Sequence, residues 1–586
     1  MRISSVGEFF SQWGAASLRP KALRRAGVAG VLAGLGVTVA VQAQPLPAPS
    51  EAVQVSGARS AYADTILAPI TPPAVPAPVK STDGDVAGPA SAQPPADARI
   101  VIKEFRFSGN TVFTSQELAA IVASEVGKPL LFSELQTLAA RIQSRYHAQG
   151  YLLARVVIPQ QNIGADRVLN FRILEGWLGE IHVKGAHRFS ADRVRRTLLV
   201  NSPLGAPLKV SDLERGLVLL GKNSGVDASS TLTAGNEVGS TDVEVEFKEE
   251  RRVTGSVEVN NFGSENTGEY RIIPAVELPN LTGRGDSLSV FGVVTPDVND
   301  LYFAQVGYTA PLNVRGTSAS VYYSQGNYQV GQEFQVLDVE GDNSGWGVGL
   351  TQDYVVSAKT SFNFEAWLES SDMEQTMLGV LMSKDEIRKI RVGTNLDRRD
   401  LSGRSFVSLH VHQGLGEALG GMDDDSTLSS RSFGGADNNF TKVVGSFTRL
   451  QSLHPRLYVL LQLSGQYAAE SLVAGEQIVI GGANTVRGHP QSIYAGDDGF
   501  VANIEARYSV LPNDSRYQLA AFIDHGEVHT KEPIIGQDDW NRISGGGVGG
   551  RATLFDDLEL RVDLAAPIGD KTDDDFYVYA QARYRF

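Results

Sequence analysis

The sequence predicts a 16-stranded antiparallel transmembrane β-barrel preceded by two small α/β modules. Three observations carry this. From about Arg252 to Phe586, apolar and polar residues alternate in sixteen consecutive stretches. One element order, β-α-α-β-β, occurs twice between residues 99 and 250. The chain opens on an export-type segment.

Composition narrows the chemistry first. The 586 residues include no cysteine, which excludes disulfides, thiolate metal sites, iron–sulfur clusters and a cysteine nucleophile. The nine histidines form no H-E-x-x-H motif, and no Ser-His-Asp spacing stands out. The expectation is therefore no enzyme, no cofactor and no metal. A net charge of −15 argues against nucleic acid as the main partner, because a phosphate backbone needs a basic face.

At the N-terminus, Arg19, Lys21, Arg24 and Arg25 precede an apolar stretch from Ala26 to Val41, closed by Val41-Gln42-Ala43. Basic residues, a short apolar run and small residues at its end read as a signal peptide over 1–43, with a mature start near Gln44. A non-cleaved anchor is the alternative, but the run is glycine-rich and short for a spanning helix. Residues 44–98 read as a linker, since eleven of the 25 prolines fall there. Within it, residues 51–68 are a candidate short helix.

Residues 99–175 form the first module. Ile100–Phe107 reads as a strand. Thr114 caps a helix bearing Leu118 and Ile121, and Ser133 starts another bearing Leu135, Leu138 and Ile142. Gly150 closes that helix, and strands follow at Ala154–Ile158 and Val168–Leu174. Residues 176–250 repeat the order: strand Ile181–Val183, helices Ser190–Leu199 and Ser211–Leu220, strands Val226–Leu232 and Thr241–Phe247. Each module leaves sheet edges able to accept an extended partner strand.

Residues 251–586 read as the barrel. Strand centres fall near Val257, Ile273, Val290, Val306, Val321, Gly349, Phe364, Gly393, Val407, Val444, Leu461, Ile504, Ala521, Val548, Leu560 and Ala580. In the last strand Phe576, Val578, Ala580, Ala582, Tyr584 and Phe586 share one face, while Tyr577, Tyr579, Gln581, Arg583 and Arg585 share the other. A lipid-facing side and a wet lumen produce this pattern, and closure leaves no backbone group unpaired in hydrocarbon. The charge divides with the architecture: residues 1–251 carry a net +3 and residues 252–586 a net −18. The acidic runs, such as Asp423-Asp424-Asp425 and Asp538-Asp539, read as solvated loop caps.

The least regular stretch is 475–499, which includes Gly481, Gly482 and Val486-Arg487-Gly488-His489 and reads as a loop without an element of its own. A matching anion lies in Phe522-Ile523-Asp524-His525-Gly526, where Phe522, Asp524 and Gly526 share the lumen face. An Arg487–Asp524 pair would fold the loop back into the barrel, acting as a register device more than a source of net stability.

Two modules, a 16-strand barrel, the Val486-Arg487-Gly488 loop and the Phe522-x-Asp524-x-Gly526 strand together resemble the outer-membrane transporters of two-partner secretion, within the Omp85 superfamily. The modules resemble polypeptide-transport-associated (POTRA) domains. The resemblance covers residues 99–586 and implies a Gram-negative outer membrane with the modules in the periplasm. It further implies that the modules capture the N-terminal secretion domain of an unfolded exoprotein, which then crosses the barrel without nucleotide hydrolysis. In this family residues 51–68 would occupy the place of a plug helix. His489 departs from the Tyr or Phe common at that motif position. The terminal Tyr584 and Phe586 resemble the aromatic end read by the barrel-assembly machinery, and lipid or lipopolysaccharide would surround the wall. An assembly factor that inserts other barrels is the alternative. A passive solute porin is a third reading, but it leaves the modules without a task.

Overall fold

The computed structural model describes residues 99–586, apart from 224, 250, 298–300, 513, 535 and 570–574. The signal peptide, the linker and the candidate helix 51–68 lie outside the described residues.

In the first module, helices α1 (Ser115–Val122) and α2 (Phe132–Ala148) cover a three-stranded sheet. Its central strand Val168–Leu174 pairs in parallel with Glu104–Ser108 and antiparallel with Arg155–Val157. Thr114 caps α1 reciprocally: its Oγ1 accepts from the Glu117 amide at 3.2 Å, and Glu117 accepts from the Thr114 amide at 2.8 Å. The core gathers Ile102, Leu118, Ile142 and Phe171. Two details differ from the sequence reading. The strand expected over Ile100–Phe107 is split, because Ile100–Val101 leaves to pair with Pro129–Leu130. Helix α2 begins one residue before Ser133, at Phe132, with Glu134 accepting from the Leu131 amide at 2.7 Å.

The second module repeats the design with α3 (Ala191–Leu199), α4 (Val210–Gly221) and strands Trp177–Lys184, Val226–Ala234 and Ser240–Glu249. Ser190 caps α3, and Leu178, Val194, Leu213 and Val245 are in the core. Val226–Ala234 is an edge strand. This module rests on the barrel's periplasmic turns. The Ser190 amide donates to the Gly283 carbonyl at 2.9 Å. Arg193 donates to the Asn313 carbonyl at 2.6 Å, and Lys222 pairs with Asp353 at 2.5 Å.

The barrel strands are β1 (Thr254–Asn260), β2 (Arg271–Pro279), β3 (Ser287–Val294), β4 (Leu301–Pro311), β5 (Thr317–Gln329), β6 (Val339–Ser357), β7 (Thr360–Met377), β8 (Val380–Asp400), β9 (Gly403–Gly414), β10 (Thr441–His454), β11 (Leu457–Ala468), β12 (Asp498–Leu511), β13 (Asp514–His529), β14 (Trp540–Leu554), β15 (Leu558–Pro567) and β16 (Tyr577–Arg585). Each contains one of the sixteen expected centres. Neighbours pair antiparallel around a closed barrel, with β16 returning to β1 through Arg585↔Ser256 to Gln581↔Asn260. Alternation holds along the strands: Leu519, Ala521 and Ile523 of β13 face outward and exposed, while Gln518, Ala520, Phe522, Asp524 and Gly526 are buried on the lumen side. Strand length departs from expectation. The β7–β8 hairpin runs from Thr360↔Arg398 to Met377↔Val380, well past the roughly ten residues a tilted strand needs to cross hydrocarbon.

Candidate functional site

Between β11 and β12 the chain turns back into the lumen. The segment is not free of structure, contrary to the sequence reading. A 3₁₀ turn at Ala474–Glu476 leads into Ile478–Ile480, which pairs antiparallel with Tyr494–Gly496, and β12 begins at Asp498. Three-residue strands are too short to show a period, so this small hairpin carried no sequence signal. It lifts Val486-Arg487-Gly488-His489 away from the mouth. Gly481 and Gly482 lie at its base with φ of +108° and +92°.

Both shoulders of the loop are fixed by buried charges. Glu476 lies between Lys389 of β8 at 2.6 Å and Lys442 of β10 at 2.8 Å. Asp497 pairs with Arg431 at 2.5 Å and accepts from the Lys531 amide at 2.7 Å.

The tip reaches the other wall. Arg487, 4% exposed, makes a two-point contact with fully buried Asp524 of β13: Nε to Oδ2 at 2.7 Å and Nη2 to Oδ1 at 3.0 Å. Its Nη1 also meets Glu505 of β12 at 2.7 Å and Asp563 of β15 at 3.2 Å. The guanidinium lies 3.3 Å from the Phe522 ring centroid. Arg551 of β14 bridges the same Glu505 and Asp563, and Arg507 pairs with Glu505 at 2.5 Å. Arg561 of β15 also pairs with Asp563 at 2.8 Å, so the pair inferred from sequence is one edge of a network of three carboxylates and four arginines. Glu505 and Asp563 escaped notice because an inward carboxylate on a barrel wall is ordinary when seen alone. Their alternation with Ile504 and with Val562 and Leu564 was the available signal.

Backbone contacts complete the seat. Tyr579 of β16 accepts from the Gly488 amide at 3.1 Å and donates to the His489 carbonyl at 3.0 Å. His489 Nε2 bonds to the Ser544 carbonyl at 2.8 Å. Gly488 has a φ of +92°, and a Cβ there would stand 2.7 Å from the Ala566 carbonyl carbon. At Gly545 a Cβ would overlap the Arg487 carbonyl oxygen, so β14 admits the loop only where it carries no side chain. Gly526 plays a similar part beneath Val486. His525 faces outward and bonds to Ser544 Oγ at 2.7 Å, apart from the network. Tyr584 is exposed on the outer face of β16, and Phe586, just past its last residue, donates its amide to the Gly255 carbonyl at 3.0 Å.

Two α/β modules at the periplasmic mouth, a closed 16-strand barrel and an inward arginine loop define the class: an Omp85-type outer-membrane barrel. Comparisons with known proteins narrow it. The family model described as haemolysin secretion/activation protein ShlB/FhaC/HecB matches residues 239–552, and the ShlB-type POTRA domain model matches residues 100–176. The chain belongs to this family, the outer-membrane transporters of two-partner secretion. It is 25% identical over 479 residues to the heme/hemopexin transporter protein HuxB of Haemophilus influenzae strain 86-028NP, covering 79% of this chain and 82% of that protein. The structure of CdiB from Escherichia coli matches with a TM-score of 0.70 at 20% identity, over 85% of this chain and 92% of that one. BamA from Haemophilus ducreyi lacking POTRA domains 1–3 matches with a TM-score of 0.50 at 15% identity, over 83% of this chain and all of that one. The protein is thus an outer-membrane transporter with its POTRA region in the periplasm.

Proposed function

We propose that the POTRA modules capture the N-terminal secretion domain of an unfolded exoprotein and that the chain then leaves through the barrel lumen. The observation that carries this is the second module's edge strand Val226–Ala234, on a module fixed to the barrel's periplasmic turns through Arg193 and Lys222. An extended client segment can pair along such an edge through main-chain hydrogen bonds. Handing it to the adjacent mouth needs no dissociation.

The Arg487 loop is a wall fitting in this scheme. Removing the guanidinium would leave the buried Asp524 carboxylate without its cation, while Glu505 keeps Arg507 and Arg551 and Asp563 keeps Arg551 and Arg561, at a cost of about 3–5 kcal/mol. Val486, Gly488, Phe522 and Gly526 shape the seat, and His489 holds the tip through its ring nitrogen. In this scheme the client crosses without nucleotide hydrolysis. Tyr584 and Phe586 serve as the insertion signal for the barrel-assembly machinery during biogenesis, and the finished wall contacts lipid and lipopolysaccharide.

The client is definable by experiment as the polypeptide that disappears from the culture medium when this chain is deleted. That polypeptide should bind the full-length transporter and not a variant lacking residues 99–250. Equal binding by the truncated barrel would refute capture by the modules. If the outer membrane instead loses other barrel proteins while the medium is unchanged, the protein is an assembly factor.

A further inference from the structure

The periplasmic rim of the barrel carries a basic cluster. Helix α3 is bonded to two turns of that rim. The Ser190 amide donates to the Gly283 carbonyl of the β2–β3 turn at 2.9 Å, and Arg193 donates to the Asn313 carbonyl of the β4–β5 turn at 2.6 Å. Arg284 follows Gly283 directly, and Arg196 lies one helical turn from Arg193 on the same face. Burial and the like charges of Arg196 and Arg284 hold the Arg193 guanidinium below its usual range. Among the described residues, neither Arg193 nor Arg284 has a carboxylate partner. Asp192 reaches Arg196 at 2.9 Å, but both side chains are exposed and such a pair contributes little. The turn's own carboxylate, Asp286, is buried and already accepts from Thr282 and Tyr308. Tyr308 gives the direction of the cluster. It bonds to Asp286 at 2.8 Å, two residues from Arg284, and it shares the outward face of β4 with exposed Val306, opposite exposed Val321 of β5. Outward aromatics at the strand ends form the girdle at the membrane interface. Leu281 and Leu312, one on each turn, are 51% and 59% exposed.

We propose that Arg193, Arg196 and Arg284 hold the phosphate of an anionic phospholipid of the inner leaflet, with its acyl chains against Leu281 and Leu312. A guanidinium presents a planar fork of donors that fits phosphate oxygens, and it carries its charge at every physiological pH. Cations left unneutralised beside exposed apolar side chains, at the level of the aromatic girdle, match both halves of such a lipid. The bound headgroup offsets the repulsion among the three arginines and joins α3 to both turns, so the seating of the second module on the barrel depends on lipid charge. The site rests on the placement of the barrel in the outer membrane and not on how a client travels.

The test titrates the full-length transporter in detergent micelles with phosphatidylglycerol and, in parallel, with zwitterionic phosphatidylcholine. Native mass spectrometry follows the first lipid adduct. With Asp192 counted, the cluster has a surplus of two positive charges. At about fivefold for each charge, phosphatidylglycerol should bind about 25-fold tighter than phosphatidylcholine. Arg196→Gln with Arg284→Gln leaves the Arg193 bond to Asn313 in place and should abolish that preference, with heat-modifiable mobility on gels unchanged. Arg196→Lys with Arg284→Lys keeps the charge and should retain most of it, which separates loss of the site from a defect of folding. Equal affinity of the unaltered transporter for the two lipids, or an undiminished preference in the Gln variant, overturns the site. Displacement of phosphatidylglycerol by millimolar inorganic phosphate overturns the lipid assignment in favour of a free anion. Weaker binding of the export-dependent polypeptide to the Gln variant, in micelles without anionic lipid, assigns the cluster to the client and overturns it as well.

Discussion

On the β12–β15 side of the lumen, Arg487, Arg507, Arg551 and Arg561 share Glu505, Asp524 and Asp563. On the β4–β7 side, Gln305, Asn343 and Ser371 face the same lumen with polar atoms that find no partner among the described residues. The two walls handle a polar interior by opposite means. Paired charges are costly to separate once desolvated, so the first wall holds one arrangement. Neutral amides and hydroxyls lose less when partners change, so the second wall is not fixed in the same way.

The comparison breaks most severely if the cation is removed. Arg487→Ala should lower export by roughly two orders of magnitude, following the loss of about 3–5 kcal/mol of loop seating, while heat-modifiable mobility on gels still reports an inserted barrel. Arg487→Lys should recover part of this, because an ammonium keeps the charge but cannot make the two-point contact with Asp524. Export at the normal rate by the Ala variant would remove the loop from the mechanism.

A smaller effect is expected at the tip. Gly488→Ala introduces a Cβ at positive φ, at about 1–2 kcal/mol before its clash with Ala566 is relieved. Export is expected to fall by roughly tenfold, and limited proteolysis of intact cells should cut the loop faster. Unchanged proteolysis would mean that the seat tolerates more than the geometry allows.

These sites were unequally legible in the sequence. Lipid on one side and water on the other force a period of two, so all sixteen strand positions could be read, from Val257 to Ala580. Strand ends could not, because beyond the membrane nothing in the pattern stops a hairpin such as β7–β8 from continuing. Arg487 and Asp524 stood out through the glycines and aromatics around them. Glu505 and Asp563 did not, since only closure of the barrel brings β12, β13 and β15 around one guanidinium. The orphaned amide of Asn343 was invisible for a related reason: a missing partner is a property of three-dimensional neighbours.

Outside the lumen the expected effects are gentler. In the second module Glu249 is half-buried, which opposes its ionisation, but the amides of Phe189, Arg188 and His187 and the Arg188 guanidinium outweigh this and hold its carboxyl below the usual range. Its contribution is therefore present above the unfolded carboxyl pKa of about 4.3 and is lost as pH falls through the lower folded value. Glu249→Gln should lower module stability by about 1–3 kcal/mol near neutral pH and flatten its acid dependence, as followed by circular dichroism of residues 99–249 once that fragment is shown to fold. Smallest of all, Lys222→Ala should cost about 0–1 kcal/mol of docking, and its slight effect on export should vanish in high salt.

The central claim is that the loop stays on its charged wall while a polypeptide passes through the lumen. Asn503 of β12 donates to the Thr485 carbonyl at 2.5 Å, so Thr485→Cys with Asn503→Cys can be joined by a short thiol-to-thiol linker at the loop tip. Export through the tethered transporter should match that of the same variant before linking. If linking stops export and cleaving the linker restores it, the loop must leave its wall for each client, and its role as a fixed fitting is wrong.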